Sequence, residues 1–374
     1  MSAEPCRGGR MRTDMMTIGA WIALFFIVQA VLTAVQYFTA RKPVKLPVRI
    51  VLILAKALIA AALALLVMAG PVFLRPVQAV LTAIYAVLLP DAAADLLTLI
   101  LFRKKRRFAH LRLASLILGV VFFVYGTVNM QIVTPEYHTF SSPKLSESHR
   151  VVFVSDLHVG SSQSFDTTRR TIEKIGAEHP DLVILGGDIT DDYTTKAEME
   201  ETYRLFGALG VPICYIDGNH EIVQHPEYTE IEYTYDELLE ALEQNGITIL
   251  RDELVEISPD LLLLGREDMA DPSKRQSAAE PDPERFLLIA DHQPTSIKEH
   301  LTLGADLQLS GHTHAAQFFP LRLIYPLFTP TYGEYEYDGG AKLIVSAGAS
   351  GWRFPFRTEA HCEYEVVDLL PEGN

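Results

Sequence analysis

The chain has 374 residues, of which 49% are hydrophobic, and its formal net charge is −15. Residues 1–132 carry 15 Lys and Arg against 4 Asp and Glu, whereas residues 133–374 carry 17 against 43. A basic, apolar part joined to an acidic part is typical of a membrane segment followed by a water-soluble domain. The acidic part argues against nucleic acid as the main partner, because nucleic-acid phosphates bind basic surfaces. Three widely spaced cysteines provide neither a disulfide framework nor a thiolate metal motif.

The N-terminal third contains long apolar runs. Residues 15–40 and 113–135 carry no charge, residues 50–74 contain only Lys56, and a weaker run at 77–101 contains two aspartates. A helix needs about 20 apolar residues to cross a bilayer. The sequence therefore predicts a transmembrane domain at 1–132, an N-terminal bundle of about four transmembrane helices, with spans at about 15–38, 50–70, 77–101 and 113–133.

Basic residues in the short loops predict how these spans are oriented. The loops after the first and third spans hold ten Lys and Arg, whereas the N-terminus and the remaining loop hold four. Cytoplasmic loops are enriched in Lys and Arg, so we predict a multi-pass plasma-membrane protein whose C-terminal domain is extracytoplasmic. This orientation depends on the weak span at 77–101, since an odd number of spans would reverse it.

The remaining two thirds of the chain have the pattern of a folded α/β domain. Residues 133–147 are rich in Ser and Pro, which predicts a linker. From residue 148 to 374, short apolar runs alternate with amphipathic segments, which predicts a layered α/β domain. Predicted strands include 151–154, 182–185 and 213–216, and predicted helices include 165–178, 196–209 and 235–244. In such domains ligands bind beyond the carboxyl ends of the strands.

Five polar motifs follow predicted strands of this domain directly. They supply Asp156 and His158, then Asp188, Asn219 and His220, His292, and finally His312 and His314. Imidazole, carboxylate and amide groups without a thiolate suit a borderline divalent metal such as Mn, Fe or Zn. Alternate residues of an extended segment project from the same side, so a D-x-H or H-x-H segment can supply two ligands. Two metals need a shared ligand, and Asp188 is the natural candidate.

As continuous blocks these motifs are Ser155-Asp-Leu-His158, Gly187-Asp-Ile-Thr-Asp191, Gly218-Asn-His-Glu221, His292-Gln-Pro and Gly311-His-Thr-His314. Five such blocks in this order resemble the calcineurin-like metallophosphoesterase superfamily over residues 148–370. The apolar N-terminus and the Gly-rich tail at 348–357 resemble its bacterial membrane-anchored branch. The resemblance implies a layered β-sandwich flanked by helices, the metallophosphoesterase fold.

The resemblance also implies a role for each residue. One metal would bind Asp156, His158, Asp188 and His314, and the other would bind Asp188, Asn219, His292 and His312. A hydroxide that bridges the two metals would attack phosphorus. His220 would contact the phosphate together with Asn219 and would protonate the leaving oxygen, while Asp191 would orient a ligand. Arg357 in the tail would contact the substrate.

The sequence thus predicts a membrane-anchored enzyme that uses two divalent metal ions to hydrolyse a phosphoester or pyrophosphate bond. A membrane anchor favours a lipid-linked or envelope phosphate as substrate, with membrane lipids as partners, because it raises their local concentration. The alternative is a catalytically silent, membrane-bound metal-binding or sensor module.

Three local features of the sequence leave alternatives open. The aromatic residues Trp352, Phe354 and Phe356 either form an apolar rim for a lipid or pack against the sheet. Ala315 and Ala316 replace two glycines that are common in relatives, which would narrow the cleft there without touching a ligand. The polar stretch at 266–285 is expected to be a solvated loop, although long loops near a site can act as lids.

Overall fold

The computed structural model describes residues 124–223, 232–319, 321–323, 325–337, 339–352 and 354–373, together with Pro47 and Val121. The first three predicted spans lie outside these residues, and so does about half of the fourth. Within the described part of the chain, no helix is both long enough and apolar enough to cross a membrane. From Gly126 onward the chain forms one compact unit.

The described residues of this unit build two six-stranded sheets. The first contains β1 (Val133–Ser142), β2 (His149–Val154), β3 (Leu182–Gly186), β4 (Ile213–Ile216), β5 (Thr248–Ile249) and β12 (Cys362–Pro371), in the order β1-β12-β2-β3-β4-β5. The second contains β6 (Glu253–Ser258), β7 (Leu261–Gly265), β8 (Phe286–Ala290), β9 (Leu307–Ser310), β10 (Gly333–Glu336) and β11 (Lys342–Val345), in the order β10-β11-β9-β8-β7-β6. Strands β2, β3 and β4 are parallel to one another, and so are β7, β8 and β9.

Helices connect the strands, and the described ones are α1 (Phe165–Ala177), α2 (Lys196–Gly207), α3 (Asn219–Ile222), α4 (Tyr235–Gln244) and α5 (Ile297–Thr302). The three longer helices begin at residues whose hydroxyl groups accept a backbone N–H of the first turn. At α2, Thr195 accepts the N–H of Glu198, and the Glu198 carboxylate accepts the N–H of Thr195 in return. This reciprocal cap supplies partners for backbone donors that a helix start leaves unpaired.

The alternation of side chains along the strands builds the layers of the domain. In β2, Val151 and Phe153 pack into an apolar cluster between the two sheets, whereas Val152 and Val154 pack on the opposite face against the cluster that holds the helices. A third apolar cluster covers the outer face of β7 and β8. Successive side chains of a strand point to opposite faces, so one buried strand serves two cores. The prediction of a layered β-sandwich flanked by helices is confirmed for the described residues.

The predicted linker at 133–147 is not a linker, because its first ten residues form β1. This strand runs parallel to β12, with Val133 opposite Cys362 and Ser142 opposite Pro371. The sequence did not reveal this strand because Pro135 and several polar residues are typical of a loop. Strand β1 lies at the edge of its sheet, where a proline is tolerated since one side of the strand needs no ladder hydrogen bonds.

The end of the predicted fourth span also belongs to the folded unit. Residues 124–130 are helical. Met130 is fully buried in the core, and the amide of Asn129 donates to the backbone oxygens of Arg357 and Ala360 at 3.3 and 2.8 Å. The apolar run that ends at residue 135 therefore includes residues that pack against protein.

Candidate metal centre

The predicted ligands lie together at the carboxyl ends of five strands from the two sheets. Strands β2, β3 and β4 of the first sheet and β8 and β9 of the second each end directly before one of the five polar motifs. The structure brings together all seven predicted ligands and His220: Asp156, His158, Asp188, Asn219, His220, His292, His312 and His314. Asp156, His158, Asp188, His292 and His314 are buried, while the other three are half-buried.

The first group of potential ligands is Asp156, His158 and His314, whose ligand atoms all lie within 4.8 Å of one another. His158 Nε2 is 3.3 Å from His314 Nε2, which in turn is 3.4 Å from Asp156 Oδ1. Asp156 and His158 follow the first sheet, whereas His314 follows the second. An ion held by this group would therefore link the two sheets.

The second group is Asp188, His292 and His312, with ligand atoms again within 4.8 Å of one another. His292 Nε2 lies 3.2 Å from Asp188 Oδ2, and the same oxygen lies 3.8 Å from His158 Nε2 of the first group. Asn219 Oδ1 joins this group at 2.8 Å from His312 Nδ1. Asp188 Oδ2 thus faces both groups, which is the position that a bridging carboxylate requires.

Oxygen atoms at the far side of three imidazole rings indicate which nitrogen is free to bind a metal. His292 Nδ1 is 2.8 Å from the Gly186 carbonyl, His314 Nδ1 is 3.2 Å from the Ser350 carbonyl, and His158 Nδ1 is 3.3 Å from Asp191 Oδ2. A nitrogen next to such an oxygen carries the proton, so the Nε2 lone pair of each neutral ring faces the cluster. Facing lone pairs and carboxylates repel unless a cation lies among them, so these residues fit bound divalent metals.

The electrostatics of the cluster favour positive charge in the same place. Burial lowers the pKa of His158, but its hydrogen bond with Asp191 and the charge of Asp188 outweigh burial and raise the pKa to about 9. Burial also lowers the pKa of His292, but the charge of Asp188 outweighs burial and raises this pKa well above its usual range. Burial lowers the pKa of His312 to about 4, which leaves that ring a neutral ligand at pH 7.

The backbone at the ligands is strained. Five of the seven predicted ligands have a left-handed backbone, with φ values of 53° for Asp156, 41° for His158, 51° for Asp188, 70° for His312 and 50° for His314. This conformation costs about 1–2 kcal/mol for a residue with a side chain. Strained residues that the surrounding fold holds in place cluster at functional sites.

Two glycines leave room for the carboxylates. A Cβ added to Gly218 would overlap Asp188 Oδ1, and one added to Gly311 would overlap Asp156 Oδ2. Each glycine lies beside the carboxylate of a different strand. Both motifs therefore have glycine at these positions because the backbone passes too close to a carboxylate for a side chain to fit.

Glu221 is a hydrogen-bond partner of the backbone, and its partners include the N–H group of Asp188. Its buried carboxylate accepts the N–H groups of Asp188, Thr190 and Gly218 at 2.9, 2.9 and 3.0 Å. Burial and the charge of Asp188 raise the pKa of Glu221 to about 8, against the opposing effect of these backbone donors. Glu221 thus ties the end of β3 to the end of β4.

His220 and Asp191 both lie beside the predicted ligands. The N–H of His220 donates to Asp188 Oδ1 at 2.8 Å, and its ring centroid is 5.1 Å from that of His158. Asp191 is buried and faces His158, while one of its oxygens accepts the N–H of Tyr193. A small cavity beside His220 is lined by Thr190, Asp191, Asp192, Glu221, Tyr233 and Leu238.

Arg357 does not have the position of a substrate contact. Its side chain is fully buried, and its guanidinium donates to the carbonyl oxygens of Ser350, His314 and Ala347 at 2.9, 2.9 and 2.5 Å. The sequence shows a cation in a Gly-rich tail, but it does not show that backbone carbonyls surround that cation. Arg357 therefore positions the backbone of His314 and of the tail.

Two of the three aromatic residues of the tail pack inside the protein. Phe354 and Phe356 are buried, whereas Trp352 is half-buried, with its ring centroid 6.1 Å from that of His220. Gln317, whose role the sequence did not reveal, accepts the N–H of Trp352 at 2.9 Å and donates to the carbonyl of Phe356 at 3.1 Å. The carbonyls of Gly186 and Ser350 were also missed, because no side chain signals a backbone acceptor.

Comparisons with known proteins give a family match and several sequence relatives. The calcineurin-like phosphoesterase family matches residues 149–316. A Helicobacter pylori strain J99 protein named "Uncharacterized metallophosphoesterase" is 30% identical over 249 residues, which are 62% of this chain and 62% of that protein. The chain thus spans about 62% of the length of that relative.

Two further similarities come from Danio rerio. A protein named "Transmembrane protein with metallophosphoesterase domain" is 26% identical over 68% of this chain and 62% of its own length. A crystal structure described as a dimetal phosphatase aligns with a TM-score of 0.36 and 12% identity, over 54% of this chain and 87% of the other. The sequence relationships and the family match show that this chain carries a calcineurin-like metallophosphoesterase domain.

Proposed function

We propose that this protein hydrolyses phosphoester or pyrophosphate bonds at a centre of two divalent metal ions. The observation that carries the proposal is the position of Asp188 Oδ2, which faces His158 of one ligand group and His292 of the other. A shared carboxylate holds two ions close enough to act on one phosphoryl group. Mn, Fe or Zn suits the mixture of imidazole, carboxylate and amide ligands.

The residues around this centre have separable tasks in such a reaction. Two bound metals would supply an activated hydroxide and positive charge for the phosphoryl oxygens. Asp191 holds the His158 ring so that its Nε2 faces the cluster, and Glu221 holds the backbone of Asp188. His220 donates a proton to the leaving oxygen, and Asn219 contacts the phosphate from the second group.

The hydrolysis experiment separates this enzyme from a silent metal-binding module. Full-length protein is loaded with Mn and tested on a chromogenic phosphodiester, a phosphomonoester and a pyrophosphate ester. We expect turnover by the wild type and its loss in Asp188→Asn, whereas Asp166→Asn, an exposed acid on α1, should match the wild type. If the wild type holds two metals but turns over none of the three substrates, the binding module is correct.

We further propose that apolar N-terminal segments anchor the domain in the plasma membrane, on its extracytoplasmic side. The charge-free runs support the anchor, and the Lys and Arg bias of the loops supports the side. A relative named as a transmembrane protein with a metallophosphoesterase domain has the same combination in its name. The substrate would be a phosphate linked to a lipid or to the cell envelope, since an anchor concentrates such molecules at the site.

The side of the membrane is tested by labelling a cysteine introduced at Ser277, an exposed residue of the 266–285 loop. The variant is made in a Cys6→Ser background, because Cys214 and Cys362 are buried. A membrane-impermeant maleimide should label it in intact cells. Labelling only after lysis would place the domain in the cytoplasm and would favour a nucleotide-linked lipid as substrate.

A further inference from the structure

Four large apolar side chains protrude from one segment near the metal centre. They are Phe319, Leu323, Leu327 and Phe328, with exposed fractions of 43, 72, 78 and 83%. We call these four side chains the apolar tip. Large apolar side chains that are exposed in one short segment are typical of a surface that contacts another apolar phase or partner.

The charge of this segment differs from that of the rest of the domain. Residues 315–333 contain no Asp or Glu and one charged residue, Arg322, although residues 133–374 contain 43 Asp and Glu. The Arg322 guanidinium lies over the Tyr332 ring, 5.0 Å from its centroid. A surface with apolar side chains, one cation and no acid is compatible with an anionic lipid surface, which repels the acidic remainder of the domain.

Both ends of the segment are attached to the metal centre. Its start follows the ligand His314, and Gln317 binds the backbone of Trp352. At its other end, the Thr331 carbonyl accepts a hydrogen bond of 2.5 Å from the hydroxyl of Thr313, the residue between His312 and His314. A surface that contacts the apolar tip is therefore held beside the predicted metal ligands.

The same segment is connected to the helix through which the chain enters the domain. Phe318, next to the apolar tip, stacks on Phe356 with centroids 6.3 Å apart. The Phe356 ring in turn lies against Gly126, where an added Cβ would overlap it, and the N–H of Arg357 donates to the Gly126 carbonyl at 2.9 Å. Gly126 belongs to the helical segment at the end of the fourth predicted span, so the expected exit from the bilayer and the apolar tip share one aromatic cluster.

We propose that the apolar tip inserts into the bilayer surface and holds the metal centre at the level of the lipid headgroups. This inference rests on the membrane attachment proposed above. It adds a second contact with the bilayer, distinct from the N-terminal spans, at residues that the sequence motifs do not include. We expect that lipid phosphate groups then reach the metal centre while their lipids stay in the membrane.

The position of the apolar tip is tested by fluorescence quenching in the full-length protein. Leu327→Cys and Phe328→Cys are made separately in the Cys6→Ser background, labelled with an environment-sensitive dye and reconstituted into phosphatidylethanolamine–phosphatidylglycerol nanodiscs. Glu284→Cys is the matched control, since Glu284 is exposed and precedes β8, at the opposite end of the strand from His292. Iodide quenches dyes in water, and nitroxide-labelled phospholipid quenches dyes in the bilayer.

Insertion predicts that lipid nitroxide quenches the dyes at positions 327 and 328 several-fold more strongly than the dye at position 284, with the reverse order for iodide. Iodide quenching equal to that of the control would place the apolar tip in water and overturn the proposal. Protection from both quenchers would mean that protein covers the apolar tip, which also overturns it. None of these results depends on turnover, so failure of the inference is distinct from failure of the proposed activity.

Discussion

At the scale of single residues, the segment that begins at His314 has an unusual backbone. His314, Ala315, Ala316 and Gln317 have φ values of 50°, 49°, 61° and 47°. The family resemblance implies glycine at the two alanine positions, and glycine adopts positive φ without strain. The two alanines thus keep a glycine conformation at a steric cost, and they do so directly beside a metal ligand.

Replacing both alanines with glycine should stabilise the domain. Each change removes about 1–2 kcal/mol of strain and loses about 0.4–1 kcal/mol because the unfolded chain becomes freer, so the double variant should gain about 1–2 kcal/mol. Denaturant unfolding of Ala315→Gly with Ala316→Gly measures it. Ala208→Gly is the matched control, because Ala208 has an ordinary φ of −71° and should lose stability. A loss of stability in both proteins would show that relief of strain at 315 and 316 does not outweigh the freedom gained by the unfolded chain.

Glu221 shows how a residue that touches no substrate can decide the geometry of the ligands. Glu221→Gln keeps the size of the side chain but turns one acceptor oxygen into an N–H₂ donor, which would face a backbone N–H. We expect a loss of about 2–3 kcal/mol in the free energy of unfolding, together with weaker metal binding at Asp188. Denaturant unfolding and metal titration measure the two effects.

Glu237→Gln is the control for that change, since Glu237 accepts the backbone N–H of Thr234 at an exposed helix start. Glu237→Gln should lower the free energy of unfolding by well under half as much as Glu221→Gln and should leave metal binding unchanged. Equal losses in the two variants would mean that Glu221 acts only as a helix cap.

At the scale of elements, local signals account for what the sequence predicted well. The predicted helix at 235–244 matches α4, because Thr234 and Glu237 form a cap that is visible in four consecutive residues. Predicted strands that are buried on both faces, such as 182–185, match because continuous apolar runs of that length have few alternatives. Strand β1 was missed because only its distant partner β12 makes it a strand.

Arg357 was misplaced for the same reason, since its partners are set by the folding of the tail over His314. If Arg357 positions the backbone, Arg357→Lys should lower the free energy of unfolding by about 2–4 kcal/mol, because lysine cannot reach three carbonyls in the guanidinium geometry. Unfolding and steady-state kinetics on a soluble ester measure the change. A raised KM with unchanged stability would instead restore the predicted substrate contact.

At the scale of the whole molecule, the predicted ligands come from two sheets that pack through an apolar core. The sequence showed five motifs in order, and the resemblance supplied their grouping, but strand order and the placement of ligands from opposite sheets came from the structure. Each ligand group draws on both sheets: Asp156 and His158 with His314, and Asp188 with His292 and His312. Metal binding should therefore oppose separation of the sheets.

This arrangement predicts that metals stabilise the folded domain and that the two sites are coupled. Each ion at about 100 times its Kd adds about 2.7 kcal/mol if the unfolded chain does not bind it. Mn should raise the unfolding temperature of the chelator-treated protein, and metal analysis should find two ions per chain. Asp156→Asn removes a ligand from one group, so it should weaken one ion, whereas Asp188→Asn should weaken both because its carboxylate faces both groups. If Asp188→Asn binds one ion with wild-type affinity, Asp188 is not a bridge, and the centre consists of two independent sites.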